Sequence, residues 1–486
     1  MNIVEPILFQ CKLNPLALAM CVPGSKHGPI TYGTLERNIH SVAQSAIKTG
    51  IAPASVVAIY SNDLVLHTVL TLGLMYMGAT TLSLKGPKQV PGITPDVVLT
   101  DTPGKISGGV TVLGVDQSWL EDAGGTADRA APYDNEEDTC RIILTSGSTG
   151  VSKGVAFSHR VLADRITYYM YSKGPRFAHC PRFFCDLGLS TSPGFGYVMA
   201  ILGRGAAIYF LGQEPADILQ LIGLHKIQGM ATSPYGLGEF LRYFEGDSAF
   251  DLTFDHIICQ GAKLSPELSR RVRARMCQNL YSSFGSTETS TVAFGPANAF
   301  ANTPGAVGYI QPGVVVQALD NTGNIQSAGR DGLLRIRTEH LAAGYVGDPG
   351  ATQTFFREGY FYSGDVGHVT ADGLLVITGR EKAALNLGGE SISPESVEDV
   401  IVSFQSIREA GVFATTNDLG NAELSALVVT HGALNESALR QHCSTRLPAS
   451  CIPEKFIVVD ALPRGGQGKL ERARLPEIAA AKATAG

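Results

Sequence analysis

RIILTSGSTGVSKGVAFS, residues 141–158, falls into an apolar run, a Ser/Thr/Gly-rich run with one lysine, and a second alternating run. Arg141 to Thr145 predicts a short strand, and Gly154 to Ser158 predicts another. Three glycines (Gly147, Gly150, Gly154) let the backbone come close to a ligand, because no Cβ intervenes. Ser146, Ser148 and Thr149 add hydroxyl donors, and Lys153 adds a positive charge. Converging amides, hydroxyls and one cation suit a polyphosphate.

Other readings of this loop fit less well. The P-loop G-x-x-x-x-G-K-[ST] leads into a helix, whereas here the lysine follows Gly150 by three residues and a strand comes next. Gly150 to Gly154 spells G-x-S-x-G, the nucleophile elbow of hydrolases, which turns directly from strand into helix. Ser152 instead precedes a strand. A plain linker is the remaining alternative, since Ser and Gly are common in loops.

At 486 residues the chain is too long for one ordinary core, so two or more domains are expected. A net charge of −6 gives no reason to expect nucleic acid. The basic run Arg270 to Arg275 reads as the solvated side of a helix, N-capped by Ser265, with Pro266 first and Leu268, Val272 and Met276 on the other side. Nine cysteines lack any repeated spacing, and His179, Cys180 and Cys185 come nearest to a metal pattern. They are expected to be free thiols in a reducing compartment, with no zinc site. Pro15 to Val22 is too short for a membrane span and lacks a basic leader, so a cytoplasmic protein without an integral span is expected.

From the start to about residue 140, apolar runs (55–60, 79–84, 96–100, 109–115) alternate with helical patterns such as Leu64 to Met77. That alternation predicts a mostly parallel sheet wrapped by helices. His159 opens a helix towards Tyr171, and FFCDLGLSTSPGFG (183–196) reads as a loop. ICQGAKL (258–264) reads as strand then turn, with Gly261 and Ala262 keeping the wall thin. YSSFGSTE (281–288) brings an aromatic face (Phe284), a hydroxyl (Thr287) and a carboxylate (Glu288) together within five residues. The turn-rich 303–319 and the alternating 332–338 predict a small antiparallel or barrel-like unit. Asp365, after Gly364, offers two acceptor oxygens, and an Asp after Gly is also an ordinary turn. Ser393 N-caps a helix begun by Pro394, with Val397, Val400, Ile401 and Phe404 along one side. Near the end, LPRGGQGKL (462–470) places Lys469 on a Gly-rich loop.

These stretches, in this order, resemble the motifs of the adenylate-forming (AMP-binding) enzymes, and are most similar to the acyl-CoA ligases. TSGSTGVSKGV is similar to [ST]SG[ST]TGxPKGV, with Ser152 in the place of proline. FGSTE is similar to YGxTE with Phe284 for tyrosine, and YFYSGD to the Y-x-T-G-D whose aspartate binds ribose. LAAGYVGDP (341–349) resembles the family's LAxGY segment, GREK (379–382) its hinge, LNLGGESISPESVE (385–398) its glycine loop, and LPRGGQGK its catalytic-lysine loop. In FFCDLG, Phe184 and Gly188 fit F-H-x-x-G, with Cys185 where histidine is common; Asp186 would match an ammonium-binding aspartate only with a one-residue shift.

The resemblance implies an α/β protein. Its large N-terminal domain (1–379) would hold layered α/β sheets and a small β-barrel-like subdomain; a small mobile α+β domain (380–486) would turn about Lys382. It implies nucleotide binding by Thr145, Ser146, Gly147, Ser148, Thr149, Gly150, Lys153, Gly261, Ala262, Phe284, Gly285, Asp365 and Arg380. It implies catalysis by Lys469, Thr287 and Glu288, with Mg2+ on Glu288. Gly388 and Gly389 would line the thiol tunnel, and Phe184, Cys185, Ser283 and Ser286 the substrate pocket. The implied reaction joins a small carboxylic acid to coenzyme A, with ATP, through an acyl-adenylate. A carrier-protein phosphopantetheine is the alternative acceptor. A degenerate, non-catalytic nucleotide-binding homologue and a serine hydrolase are the readings from other classes. The mostly small or apolar residues around 184–196, 232–237 and 259–262 lean towards an uncharged acyl or aryl group.

Overall fold

The computed structural model describes residues 1–86, 92–106, 109–121, 132–145, 152–212, 215–245, 254–381, 385–387, 390–416, 422–465 and 468–485. Among them, six strands form a sheet in the order 111–114, 97–100, 56–60, 80–83, 139–144, 154–158. All its pairings are parallel except the last, where Thr139–Leu144 and Gly154–Ser158 pair antiparallel with Leu144 opposite Gly154. Ser152 thus leads into a strand and does not enter a helix. Helix Leu64–Tyr76 packs between layers, and nearly every side chain on it is buried, as its unbroken apolar run predicts.

A second sheet of fourteen strands among the described residues carries the rest of this body. Strands Arg182–Cys185, Gly229–Thr232, His256–Gln260 and Leu280–Ser286 lie side by side in parallel. From Leu280–Ser286 onward the pairing turns antiparallel through Ser290–Pro296, Ala306–Ile310, Leu374–Arg380, Tyr360–Val369, Gly332–Arg337 and Val315–Leu319. These antiparallel strands have their own core (Val292, Val307, Leu334, Ile336, Leu375) but remain hydrogen-bonded to the large sheet.

The stretch 183–196, expected to be a loop, is not one throughout. Arg182–Cys185 is a strand, and helix Ser192–Gly203 begins under a Thr191 cap. The aromatic pair Phe183–Phe184 at the middle of a sheet outweighs the turn-forming residues that follow.

Residues beyond 390 build a smaller unit. Strands Ile407–Thr416, Ala422–Thr430 and Lys455–Val458 pair in one sheet, and helix Pro394–Val402 packs on it through Val397 and Ile401. The Ser393 cap and the Ser265 cap are both made as the sequence predicts. No helix among the described residues is long and apolar enough to cross a membrane. All nine cysteines are free thiols.

Candidate active site

The C-terminal ends of the parallel strands open onto a cavity of about 200 Å3 at the junction of the two sheets and the final loop. Thr145 and Lys153, Gly261, the run Ser283 to Glu288, Asp365, Arg380 and Lys469 all line it. Residues more than 300 positions apart in the chain therefore share one chamber.

At one end, the backbone N–H of Thr145 donates to the Lys153 carbonyl at 2.8 Å, closing the neck of the loop. The Lys153 ammonium lies 5.8 Å from the centre of the Tyr345 ring and 5.9 Å from that of Phe355. Ser146, Gly147, Ser148, Thr149 and Gly150, between these two anchors, lie outside the described residues. So do the expected pivot Lys382 and the glycines Gly388 and Gly389.

The turn after Leu280–Ser286 is held from three sides. Gly285 packs so closely on the opposing strand that a Cβ would fall 2.0 Å from the Ser290 carbonyl oxygen. Ser286 and Thr289 exchange hydrogen bonds across the turn. The buried Arg165 guanidinium donates to the carbonyls of Thr287 (2.8 Å) and Glu288 (2.9 Å), and also to that of His340. The Glu288 side chain is buried, and its Oε1 accepts the Tyr345 hydroxyl at 2.7 Å. No cluster of three or more metal-ligating side chains occurs among the described residues. A single carboxylate at a cavity lined by Lys153 and Lys469 nevertheless fits Mg2+, which draws most of its ligands from phosphate oxygens and water.

Asp365 and Arg380 face each other across adjacent strands, and Arg380 Nε stands 2.9 Å from Asp365 Oδ1. Asp365 is buried and Arg380 half-exposed, so the aspartate keeps one oxygen committed to the pair while the guanidinium reaches outward. Lys469 enters from the other side. Burial first, and then the charges of Arg380 and Lys85, lower its pKa from the usual lysine range. Its loop rests on Tyr235: the Arg464 guanidinium lies over that ring at 5.1 Å, and Gly468 abuts it. An ion pair between Lys263 and Asp399 ties the small unit to the large one.

Two expected pocket residues are elsewhere. Phe184 is fully buried against Phe240 in the core beneath the sheet, and Cys185 is buried on the opposite side. Strand alternation sends these neighbours to the two faces of a sheet covered on both, so neither lines the cavity. Ala262 is exposed just past the rim, next to Gly261. Asp186, one residue further along, is held by the Thr232 hydroxyl at 2.8 Å, and burial pushes its pKa up to about 6.

Arg165, Lys173 and Tyr345 matter to the site without having been singled out. Tyr345 stood in the LAAGY segment with no role attached. Arg165 and Lys173 lie on or just after helix His159–Ser172, where nothing local distinguishes them; their partners are 110 to 175 residues away.

Comparison with known proteins agrees with this geometry. Residues 94–346 match the family model described as AMP-binding enzyme, and 396–469 match the AMP-binding enzyme C-terminal domain. The chain is 25% identical to 4-chlorobenzoate–CoA ligase of Arthrobacter sp. over 99% of its own length and 95% of the relative's. It is 29% identical to L-proline–[L-prolyl-carrier protein] ligase of Pseudomonas fluorescens over 69% of this chain and 68% of that one. Among solved structures, O-succinylbenzoate coenzyme A synthetase from Bacillus subtilis, in complex with ATP and magnesium, superposes with a TM-score of 0.82. That likeness covers 97% of this chain and 99% of the other at 20% identity, and it shows a shared fold.

Proposed function

We propose that this chain, which belongs to the AMP-binding enzyme family, is an ATP-dependent carboxylate–CoA ligase. It works through an acyl-adenylate and releases pyrophosphate and AMP. The observation that carries this reading is the meeting of Thr145, Lys153, Thr287, Glu288, Asp365, Arg380 and Lys469 on one cavity. No single motif among them would define a nucleotide site; their convergence supplies cation, carboxylate and hydroxyl in one chamber.

In the first half-reaction a carboxylate oxygen attacks the α-phosphorus, and the bond to the bridging oxygen breaks with its electron pair leaving on pyrophosphate. Both reactants are anions, so charge must be screened and an in-line geometry held. Lys153 and Lys469 supply cations, and Thr145 and Thr287 supply hydroxyl donors. Glu288 would hold Mg2+, which adds charge neutralisation on the phosphates. Asp365 accepts from the ribose hydroxyls, Arg380 reaches the ribose or phosphate, and Phe284 offers a face to adenine. In the second half-reaction the thiol sulfur attacks the acyl carbon, loses its proton, and displaces AMP. We take 380–486 as a mobile domain that turns about Lys382, withdrawing Lys469 and bringing Gly388 and Gly389 to the thiol path.

Likeness to a CoA ligase along nearly the whole chain favours coenzyme A as acceptor. Likeness to a carrier-protein ligase keeps a phosphopantetheine on a carrier protein as the second reading. Nine free cysteines suit a reducing compartment, and we place the protein in the cytoplasm.

The test is pyrophosphate release from ATP and Mg2+ over a panel of aliphatic, aromatic and amino acids, with and without coenzyme A. Acid-dependent release that Lys469→Ala abolishes is expected, with AMP and a thioester appearing once coenzyme A is added. Release without any thioester would move the acceptor to a carrier protein. A protein that binds ATP yet releases nothing with any acid is the degenerate, non-catalytic homologue.

A further inference from the structure

We propose that Lys173 selects the acid: it turns the inner end of the cavity into a site for a second anionic oxygen group, as in a dicarboxylic acid. This rests on the adenylation reading above and names its substrate class.

Lys173 follows helix His159–Ser172 and is fully buried. Its Nζ donates to Ser283 Oγ at 2.7 Å and to Thr291 Oγ1 at 3.1 Å. It lies 4.6 Å from the centre of the Phe294 ring and 5.2 Å from that of Tyr169. No acidic side chain among the described residues pairs with it. Around Nζ, strands Leu280–Ser286 and Ser290–Pro296 present Ser283, Thr291 and Phe294, and its own helix presents Tyr169, the titratable neighbour in contact among the described residues.

A desolvated ammonium without a counter-charge is costly, and two hydroxyls and two ring faces offset that cost only in part. Burial accordingly pushes its pKa down to about 7. The missing counter-charge has an obvious point of entry, because Ser283, Thr291 and Tyr169 all line the cavity. Lys173 donates to both hydroxyl oxygens, so their own protons remain for an acceptor in the cavity or for the Tyr169 hydroxyl that Thr291 also meets. Ser283 stands about 10 Å along its extended strand from Ser286, at the mouth of the Thr287–Glu288 turn. A substrate with its reacting carboxylate at that turn would therefore point its far end at Ser283 and Lys173. An uncharged acyl group would leave the ammonium unpaired, so the small, apolar composition of the neighbouring segments gives a misleading picture of this pocket.

The test compares kcat/KM for pyrophosphate release on matched pairs: succinate, glutarate, adipate and terephthalate against butyrate, pentanoate, hexanoate and 4-methylbenzoate. The wild type is expected to prefer the diacid by tenfold or more in at least one pair. Lys173→Met should reverse that ratio while ATP binding is retained, and Ser283→Ala should shift it the same way. The diacid kcat/KM should fall as pH rises through about 7, where free Lys173 loses its proton, and Lys173→Met should lack that limb. A wild type that prefers the monoacid in every pair, or a Lys173→Met that lowers both members equally, overturns the anchor alone. Release with no acid at all overturns the adenylation reading and the anchor with it.

Discussion

The Tyr345 hydroxyl donates to Glu288 Oε1 at 2.7 Å, joining the segment after Ala342 to the turn that ends the strand Leu280–Ser286. Burial and the Glu288 charge both push the Tyr345 pKa up, so the phenol stays a donor across the working range. The bond fixes one carboxylate oxygen of Glu288, and on the proposed function the other would hold Mg2+. Tyr345→Phe removes a hydrogen bond to a charged group, a loss of about 1.5–3 kcal/mol. The expected result is a roughly tenfold rise in the Mg2+ needed for half-maximal pyrophosphate release, with melting temperature changed by only a few degrees. An unchanged Mg2+ requirement would mean Glu288 needs no such aiming.

Arg165 acts on the same turn through its backbone. Its guanidinium serves the carbonyls of Thr287, Glu288 and His340, and its pKa, lowered by burial to about 10, keeps it charged at neutral pH. A lysine cannot reproduce that planar fork, and each carbonyl left bare costs about 1–3 kcal/mol. Arg165→Lys should lower unfolding free energy by about 2–4 kcal/mol and adenylation by ten- to a hundredfold. Denaturant titration beside pyrophosphate release reads both. Full activity at reduced stability would confine Arg165 to folding.

Gly468 has φ +70°, and a Cβ there would lie 2.6 Å from Tyr235 Cβ. Gly468→Ala is therefore strained twice, by backbone region and by contact. The loop carrying Lys469 should no longer seat on helix Pro234–Glu245. Adenylation should fall by at least tenfold, while thioester formation from supplied acyl-adenylate stays near the wild-type rate. Equal losses in both half-reactions would contradict a role confined to Lys469 placement.

Asp186 gives a pH signature. Its folded pKa, raised by burial to about 6, exceeds the ordinary aspartate value of 3.8, so the folded state holds the proton more tightly. Stability is then greatest below the unfolded value and declines as pH rises from about 4 to about 6. The loss amounts to at most about 3 kcal/mol. Asp186→Asn can still accept from Thr232 and carries no charge. Its stability relative to wild type should grow across that window and level off above it, as denaturant unfolding at several pH values would register. A constant offset from pH 4 to 8 would show that Asp186 is ionised without penalty.

Much of the site was legible because its residues sit in local patterns with local consequences. The strands on either side of 145–153, the caps at Ser265 and Ser393, and the FGSTE turn follow from hydroxyl, glycine and apolar spacing within a dozen residues. Phe184 and Cys185 went astray because a family pattern located the segment without saying which face of the strand each side chain takes. A strand buried on both faces offers no polar alternation to decide it.

By its own order of residues, then, the chain determined an α/β protein of the AMP-binding family, the strands on either side of 145–153, and the segments that carry Glu288, Asp365, Arg380 and Lys469. Only the tertiary structure decided that Arg165 clamps the Glu288 turn, that Tyr345 bonds its carboxylate, and that Lys173 stands behind Ser283 and Thr291 without an acidic partner among the described residues. The reason is physical. Spacing encodes which residues share one helix face or one strand face. The cost or gain of a buried charge depends instead on partners brought from more than 100 positions away, and no local pattern carries that information.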